Sequence, residues 1–225
     1  PNGQKDSTIA TVYNILGEIY TKKGLSVQAL EYFIEAENEY GRIQAVSPWL
    51  KINMGNVYFQ EKQWDKARKK YYEAYDIFVD KKDHLIKHGD SWPKNNLTGL
   101  AVALINLGMI EKENNVFSEA LKYYEQALIV RLQVGKPSDL TYTYLEMGKL
   151  YLDWDMNVLA EEKINKADSI LTFYQQLDYD KYGSEWQKVL DPKLMKKYMG
   201  MSAKYKGILQ MKYNNPDQAL SFFIQ

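Results

Sequence analysis

The chain has 225 residues with 29 Lys and Arg against 29 Asp and Glu, so its formal net charge is zero. Such a chain is a poor general ligand for nucleic acid or an anionic membrane, both of which reward excess basic charge. It has no cysteine, which removes disulfides, thiolate metal sites and thiol nucleophiles together, and no apolar run approaches the ~18 residues of a membrane span.

Taken in chain order, the predicted elements repeat themselves. The first helical hairpin covers about 7–43, with "LGEIY" at 16–20 on its first helix, Gly24 at its turn, and Ala29, Phe33 and Ala36 on its second helix. The second covers about 47–83; it opens at Ser47-Pro48, carries "MGNVY" at 54–58, turns through "EKQW" and continues with Ala67, Tyr71 and Ala74. An insertion at about 79–96 is expected to prolong that helix and then form a loop. The third hairpin (98–135) holds "LGMIE" at 107–111, Asn115, Ala120, Tyr124 and Ala127. The fourth (138–175) follows Pro137-Ser138-Asp139 and holds "MGKLY" at 147–151, Asp155, Ala160, Ile164 and Ala167. A second insertion, about 174–193, reads as a loop with a short helix. A partial fifth unit (193–225) has Asp191-Pro192, Gly207, Asn214, Asn215-Pro216, Ala219 and Phe223.

The spacing has a physical reading. Gly17, Gly55, Gly108, Gly148 and Gly207 are each followed twelve residues later by an alanine and sixteen later by a bulky residue. The first four of these units add a further alanine three positions on. The alanine, bulky residue and alanine form one stripe on a helix. Small residues let two helices approach, and the bulky side chain fills the space beside them. One hairpin cannot bury its stripe alone, so neighbours must stack. Ser47, Asp191 and Asn215 are expected to cap helices whose first position is proline. The chain starts at Pro1 and stops within an apolar-periodic segment, so the reading expects a piece of a longer protein, organised as a single array.

This pattern resembles the tetratricopeptide repeat, whose signature is an aromatic, Leu-Gly and Tyr on helix A, then Ala, Phe and Ala on helix B. The first unit matches at Tyr13, Leu16, Gly17, Tyr20, Ala29, Phe33 and Ala36, and the fourth at Tyr144, Met147, Gly148, Tyr151, Ala160 and Ala167. In the second, Lys51 takes the aromatic place; in the third, Glu111 stands for the tyrosine; in the fifth, Lys206 and Gln210 replace the large residues. The resemblance implies an all-α fold, an α-solenoid that winds as a right-handed superhelix of hairpins.

Little points to chemistry. His84 and His88 are spaced i, i+4 with Asp83 and Asp90 nearby, but no third ligand has an assigned place. There is no phosphate loop and no nucleophile elbow. The expectation is a non-catalytic module with no metal and no cofactor.

The resemblance also implies a concave face lined by the A helices. The residues looking into it include Asn14, Glu18, Trp49, Asn53, Asn56, Asn106, Met109, Tyr142, Glu146 and Lys149. An asparagine amide both donates and accepts, so a row of Asn14, Asn53, Asn56 and Asn106 suits the backbone of an extended peptide, as in kinesin light chain. The other reading is that these asparagines bridge adjacent A helices. Trp49, Met109 and Tyr142 would add apolar contact, and Glu18, Glu146 and Lys149 selectivity. The clamp for chaperone carboxylates is disfavoured, because Asn14, Val102 and Asn106 stand where it needs cations. The expected partner is a protein or peptide. The array's style is similar to sensory or docking parts of bacterial signalling and regulatory proteins; the alternative is a free-standing scaffold or adaptor, self-associating through its last repeat. The compartment is open: a soluble module, cytoplasmic or periplasmic.

Overall fold

A glycine twelve residues ahead of an alanine makes sense once the second helix folds back on the first. In the computed structural model the described residues are 7–87, 93–176 and 191–224, with backbone only for 82–87. They form α1 (Thr8–Lys22), α2 (Ser26–Arg42), α3 (Pro48–Gln60), α4 (Trp64–Lys87), α5 (Lys94–Glu113), α6 (Phe117–Val134), α7 (Pro137–Asp153), α8 (Asn157–Gln176), α9 (Pro192–Lys212) and α10 (Pro216–Phe223). The fold is all-α, and no described residue lies in a strand. α4 is long, as the reading of the first insertion expects. The loop after it, the histidine pair and the middle of the second insertion lie outside the described residues or side chains.

The glycines are places of close approach. A methyl added at Gly17 would enter the ring of Phe33, one at Gly55 the ring of Tyr71, and one at Gly207 the ring of Phe223. At Gly148 it would lie 2.8 Å from Ile164 Cγ1. Helix A thus touches the bulky residue of helix B through its own backbone. Gly99 repeats the device between hairpins, against Phe78.

Seven residues after each helix-A glycine the chain turns with positive φ, at Gly24, Lys62, Asn115, Asp155 and Asn214. Four of the five are residue types that tolerate this geometry; Lys62 is the exception and carries the cost of a left-handed residue with a Cβ. Of the three expected caps, Ser47 accepts from Leu50 N and Asp191 from Lys193 N. Asn215 is a correction: it makes no cap bond, because its side chain turns back to donate to Gln210 Oε1 at 3.2 Å.

The fold divides into two compact units, Pro1–Ile110 and Glu111–Gln225. In the first, α2 packs on α3, and Ala29, Phe33 and Ala36 share a buried cluster with Leu50, Met54 and Val57. In the second, α6 packs on α7 and α8 on α9, and Ala160, Ile164 and Ala167 share a cluster with Tyr205 and Leu209. The helix B stripe of one hairpin therefore meets the helix A of the next. Among the described residues no helix is long and apolar enough to cross a membrane.

Candidate functional site

In the first unit, α1, α3 and α5 present the expected asparagines, and they are joined to one another. Asn14 Nδ2 donates to Glu18 Oε1 at 2.9 Å. Asn53 Nδ2 donates across the helix pair to Asn14 Oδ1 at 3.1 Å and to Glu18 Oε1 at 2.9 Å. Asn106 Nδ2 donates to Asn56 Oδ1 at 3.3 Å, and the same oxygen accepts from Tyr71 Oη at 2.9 Å. The asparagines therefore bridge neighbouring helices. These bonds use the Asn53 amino group and the Asn56 carbonyl, and leave the Asn53 carbonyl and the Asn56 amino group for other partners. Burial pushes the Tyr71 hydroxyl well above its ordinary range, so it stays a neutral donor.

Beside this network lies a pocket of about 370 Å³ lined by Glu18, Thr21, Lys22, Trp49, Asn53 and Asn56, with Phe33 at its base. Trp49 is 40% exposed, its ring edge-on to Phe78 at 6.1 Å between centroids. The half-exposed indole, a carboxylate and two amides thus meet in one concavity. Met109 is half-buried on α5.

In the second unit, Tyr142, Glu146 and Lys149 share α7, and two of them are more enclosed than a selectivity surface requires. Glu146 is only 5% exposed, as is Lys112, whose Nζ lies 4.0 Å from Glu146 Oε2. Burial pushes the Lys112 ammonium below its ordinary value, and Glu146 works against that shift. Tyr142 stacks on Tyr198 with centroids 5.9 Å apart and lies under the Arg131 guanidinium. Arg131 is buried too, and donates to the Asp139 carbonyl at 2.7 Å and to Thr143 Oγ1 at 2.6 Å. Tyr142 is partly buried against this core, and Lys149 is half-buried.

The sequence reading missed this ionic core and a second network around Lys51. Lys51 pairs with Glu37 and with Glu73 at 2.7 Å, and Lys70 reaches both glutamates. Lys51 carried a signal, since it stands where the first and fourth repeats place Tyr13 and Tyr144. Lys112 carried none: its slot, four residues after the helix-A glycine, is buried at Leu152 but exposed at Met211. Among the described residues no group of three His, Cys, Asp or Glu is placed to hold a metal ion.

Residues 100–134 match the family model of the tetratricopeptide repeat. That segment is a tetratricopeptide repeat. No curated protein matches it. Among solved structures, BtubC from P. vanneervenii is similar over 96% of this chain and 77% of its own, at 19% identity and TM-score 0.68. A Podosopora anserina protein of nearly identical TPR-like repeats is similar over 94% and 92%, at 12% identity and TM-score 0.63. The Rap conjugation gene regulator of plasmid pLS20, solved in complex with the Phr* peptide, is similar over 93% and 61%, at 16% identity and TM-score 0.57. At these identities the likeness carries the tetratricopeptide fold and nothing finer.

Proposed function

We infer that this tetratricopeptide array is a non-catalytic docking module that takes an extended peptide segment on the A-helix face of its first unit. The observation that carries the reading is the pocket where Trp49 stands half-exposed beside Asn53, Asn56 and Glu18. An exposed indole in a concavity is the kind of anchor that dominates peptide interfaces. The Asn53 carbonyl and Asn56 amino group can receive and donate main-chain hydrogen bonds, because their internal bonds use only one side of each amide. The helix-bridging bonds fix those amides before a ligand arrives, which lowers the ordering cost of binding. Tyr142, Glu146 and Lys149 have no part in this pocket. The Rap regulator of the same fold, solved with a peptide, lends the reading support. The whole array, with repeats at about 7–43, 47–83, 98–135, 138–175 and 193–225, serves in this reading as the docking or sensory part of a bacterial regulatory protein.

The test is selection of a random linear peptide library on the chain, followed by binding measurements with Trp49→Ala and Asn53→Ala/Asn106→Ala. Selected peptides are expected to lose affinity about tenfold or more for each variant, a loss of ~1.4 kcal/mol. Circular dichroism must show that both variants remain folded. Failure to select any peptide, or binders indifferent to the substitutions, would sink the reading.

A further inference from the structure

In the pocket of the first unit, internal bonds engage the hydrogen-bond donors of one wall and leave its acceptors. Both hydrogens of the Asn53 amino group are in use, one toward Asn14 Oδ1 at 3.1 Å and one toward Glu18 Oε1 at 2.9 Å. The Thr21 hydroxyl donates to the Gly17 carbonyl at 2.8 Å. Glu18 Oε1 accepts a second bond, from Asn14 Nδ2 at 2.9 Å. The groups these bonds leave over are acceptors: Glu18 Oε2, the Asn53 carbonyl and the lone pairs of Thr21. The Asn56 amino group remains for a main-chain carbonyl.

Charge and apolar surface point the same way. Glu18 is half-buried, and among the described residues no ion pair neutralises it. Two amides hold its carboxylate in place instead. The half-exposed Trp49 lines the same concavity, with Phe33 at its base. A ligand that covers this pocket takes Glu18 out of water. A neutral or acidic side chain leaves that charge without a counter-ion, which costs affinity. A lysine or arginine answers every feature at once. Its charge meets Glu18, its N–H groups meet the acceptors, and its stem and charged head lie against the indole. Lys22, four residues after Glu18, also lines the pocket, but it is exposed and water screens its charge.

We propose, on the footing that this pocket takes a peptide, that it selects a cationic side chain: the bound segment carries a lysine or arginine seated beside Glu18 and Trp49. Glu18 is then the residue that determines specificity. Asn14 and Asn53 are positioning residues, since their amides aim the carboxylate without reaching the ligand's charge themselves.

Linear peptide libraries with one central position fixed as Lys, Arg, Leu or Glu, flanked by random uncharged residues, are selected on the 225-residue chain. Binders are expected from the Lys and Arg libraries and not from the other two. A selected peptide is then measured against Glu18→Gln, which keeps an acceptor for Asn14 and Asn53 but removes the charge; circular dichroism verifies the fold. Affinity is expected to fall about tenfold. Replacing the peptide's basic residue with leucine should cost the wild type about as much and the Glu18→Gln variant little, because the two changes remove one contact. Lys22→Gln removes a like charge and is expected to bind the basic peptide somewhat tighter. Equal enrichment of the Leu library, with binding that depends on Trp49, overturns the cationic selectivity and leaves the peptide reading standing. So do additive losses in the Glu18 cycle. Enrichment of the Glu library overturns it too, and gives the pocket's charge preference to Lys22. No binder from any library overturns both.

Discussion

A helix-A glycine and its facing ring form one unit, and the two kinds of glycine in this chain answer substitution differently. Gly55 has ordinary helical backbone but no room: the Tyr71 ring lies where its Cβ would be. That ring is held by burial and by its hydroxyl's bond to Asn56, so it cannot swing aside as a free phenyl might. Gly24 has room but sits at φ +73°, where a Cβ strains the backbone. Gly55→Ala is therefore an overpacking change, expected to cost about 1–3 kcal/mol. Gly24→Ala is expected to cost about 1 kcal/mol of backbone strain. Urea unfolding measures both, and a second substitution separates the causes. Gly24→Asn should recover much of the loss, because asparagine occupies the equivalent slots at 115 and 214. Gly55→Ala combined with Tyr71→Ala should lose less than the sum of the two single changes, since the ring that resists the methyl is gone. Additive losses would show that the contact is not the reason for the glycine.

Between elements, side chains the repeat pattern leaves unassigned decide how hairpins are tied. Lys51 on α3 joins Glu37 on α2 to Glu73 on α4, in the place where α1 and α7 carry Tyr13 and Tyr144. Burial would raise the Glu73 carboxyl, but hydrogen bonds from Lys51 and Lys70 outweigh it and hold it below its ordinary 4.5. A carboxylate held below its unfolded value stabilises the fold above that value, and the contribution is lost as pH falls through the lowered one. Lys51 runs the other way. Burial would lower it, its bonds to Glu37 and Glu73 raise it above 10.5, and its contribution disappears as pH rises through that raised value. Glu73→Gln is thus expected to lower the melting temperature at neutral pH and to fall less steeply than the wild type below about pH 4.5. Parallel acid limbs for the two proteins would refute the assignment. The same scale marks where sequence was enough and where it was not. Glycine, alanine and ring recur at fixed covalent intervals, so the hairpins and their stripes were legible directly. Whether Asn53 faces a ligand or Asn14 depends on the distance between two helices, and a single chain position does not encode that distance. Glu146 reads as a surface residue until α7 is packed, and Asn215 reads as a cap until its side chain turns to Gln210.

Over the whole molecule, packed hairpins convert tyrosine into core, and that gives the fold an alkaline limit. Burial raises Tyr71 in the first unit, and it raises Tyr124, Tyr142 and Tyr205 in the second. Tyr198, beside them, is pushed up to about 12. A phenol whose folded pKa lies above its unfolded value of 10.0 contributes stability that is complete below pH 10 and lost as pH rises through the folded value. Unfolding at high pH is driven by these hydroxyls ionising once water reaches them. The second unit holds four of the five, around a core that already encloses Lys112, Arg131 and Glu146. Above pH 10 its helices α6 to α9 are therefore expected to open before α1 to α4. Tyrosinate absorbance should rise in two stages, exposed rings first and buried rings together with loss of helical circular dichroism. Hydrogen exchange, corrected for its intrinsic pH dependence, assigns the second stage to a unit. Earlier loss of protection in α1 to α4, or ionisation of every tyrosine while the helices persist, would mean that these hydroxyls do not set the limit. Tyr198→Phe removes one ionising group without emptying its site, and should move the second stage to higher pH.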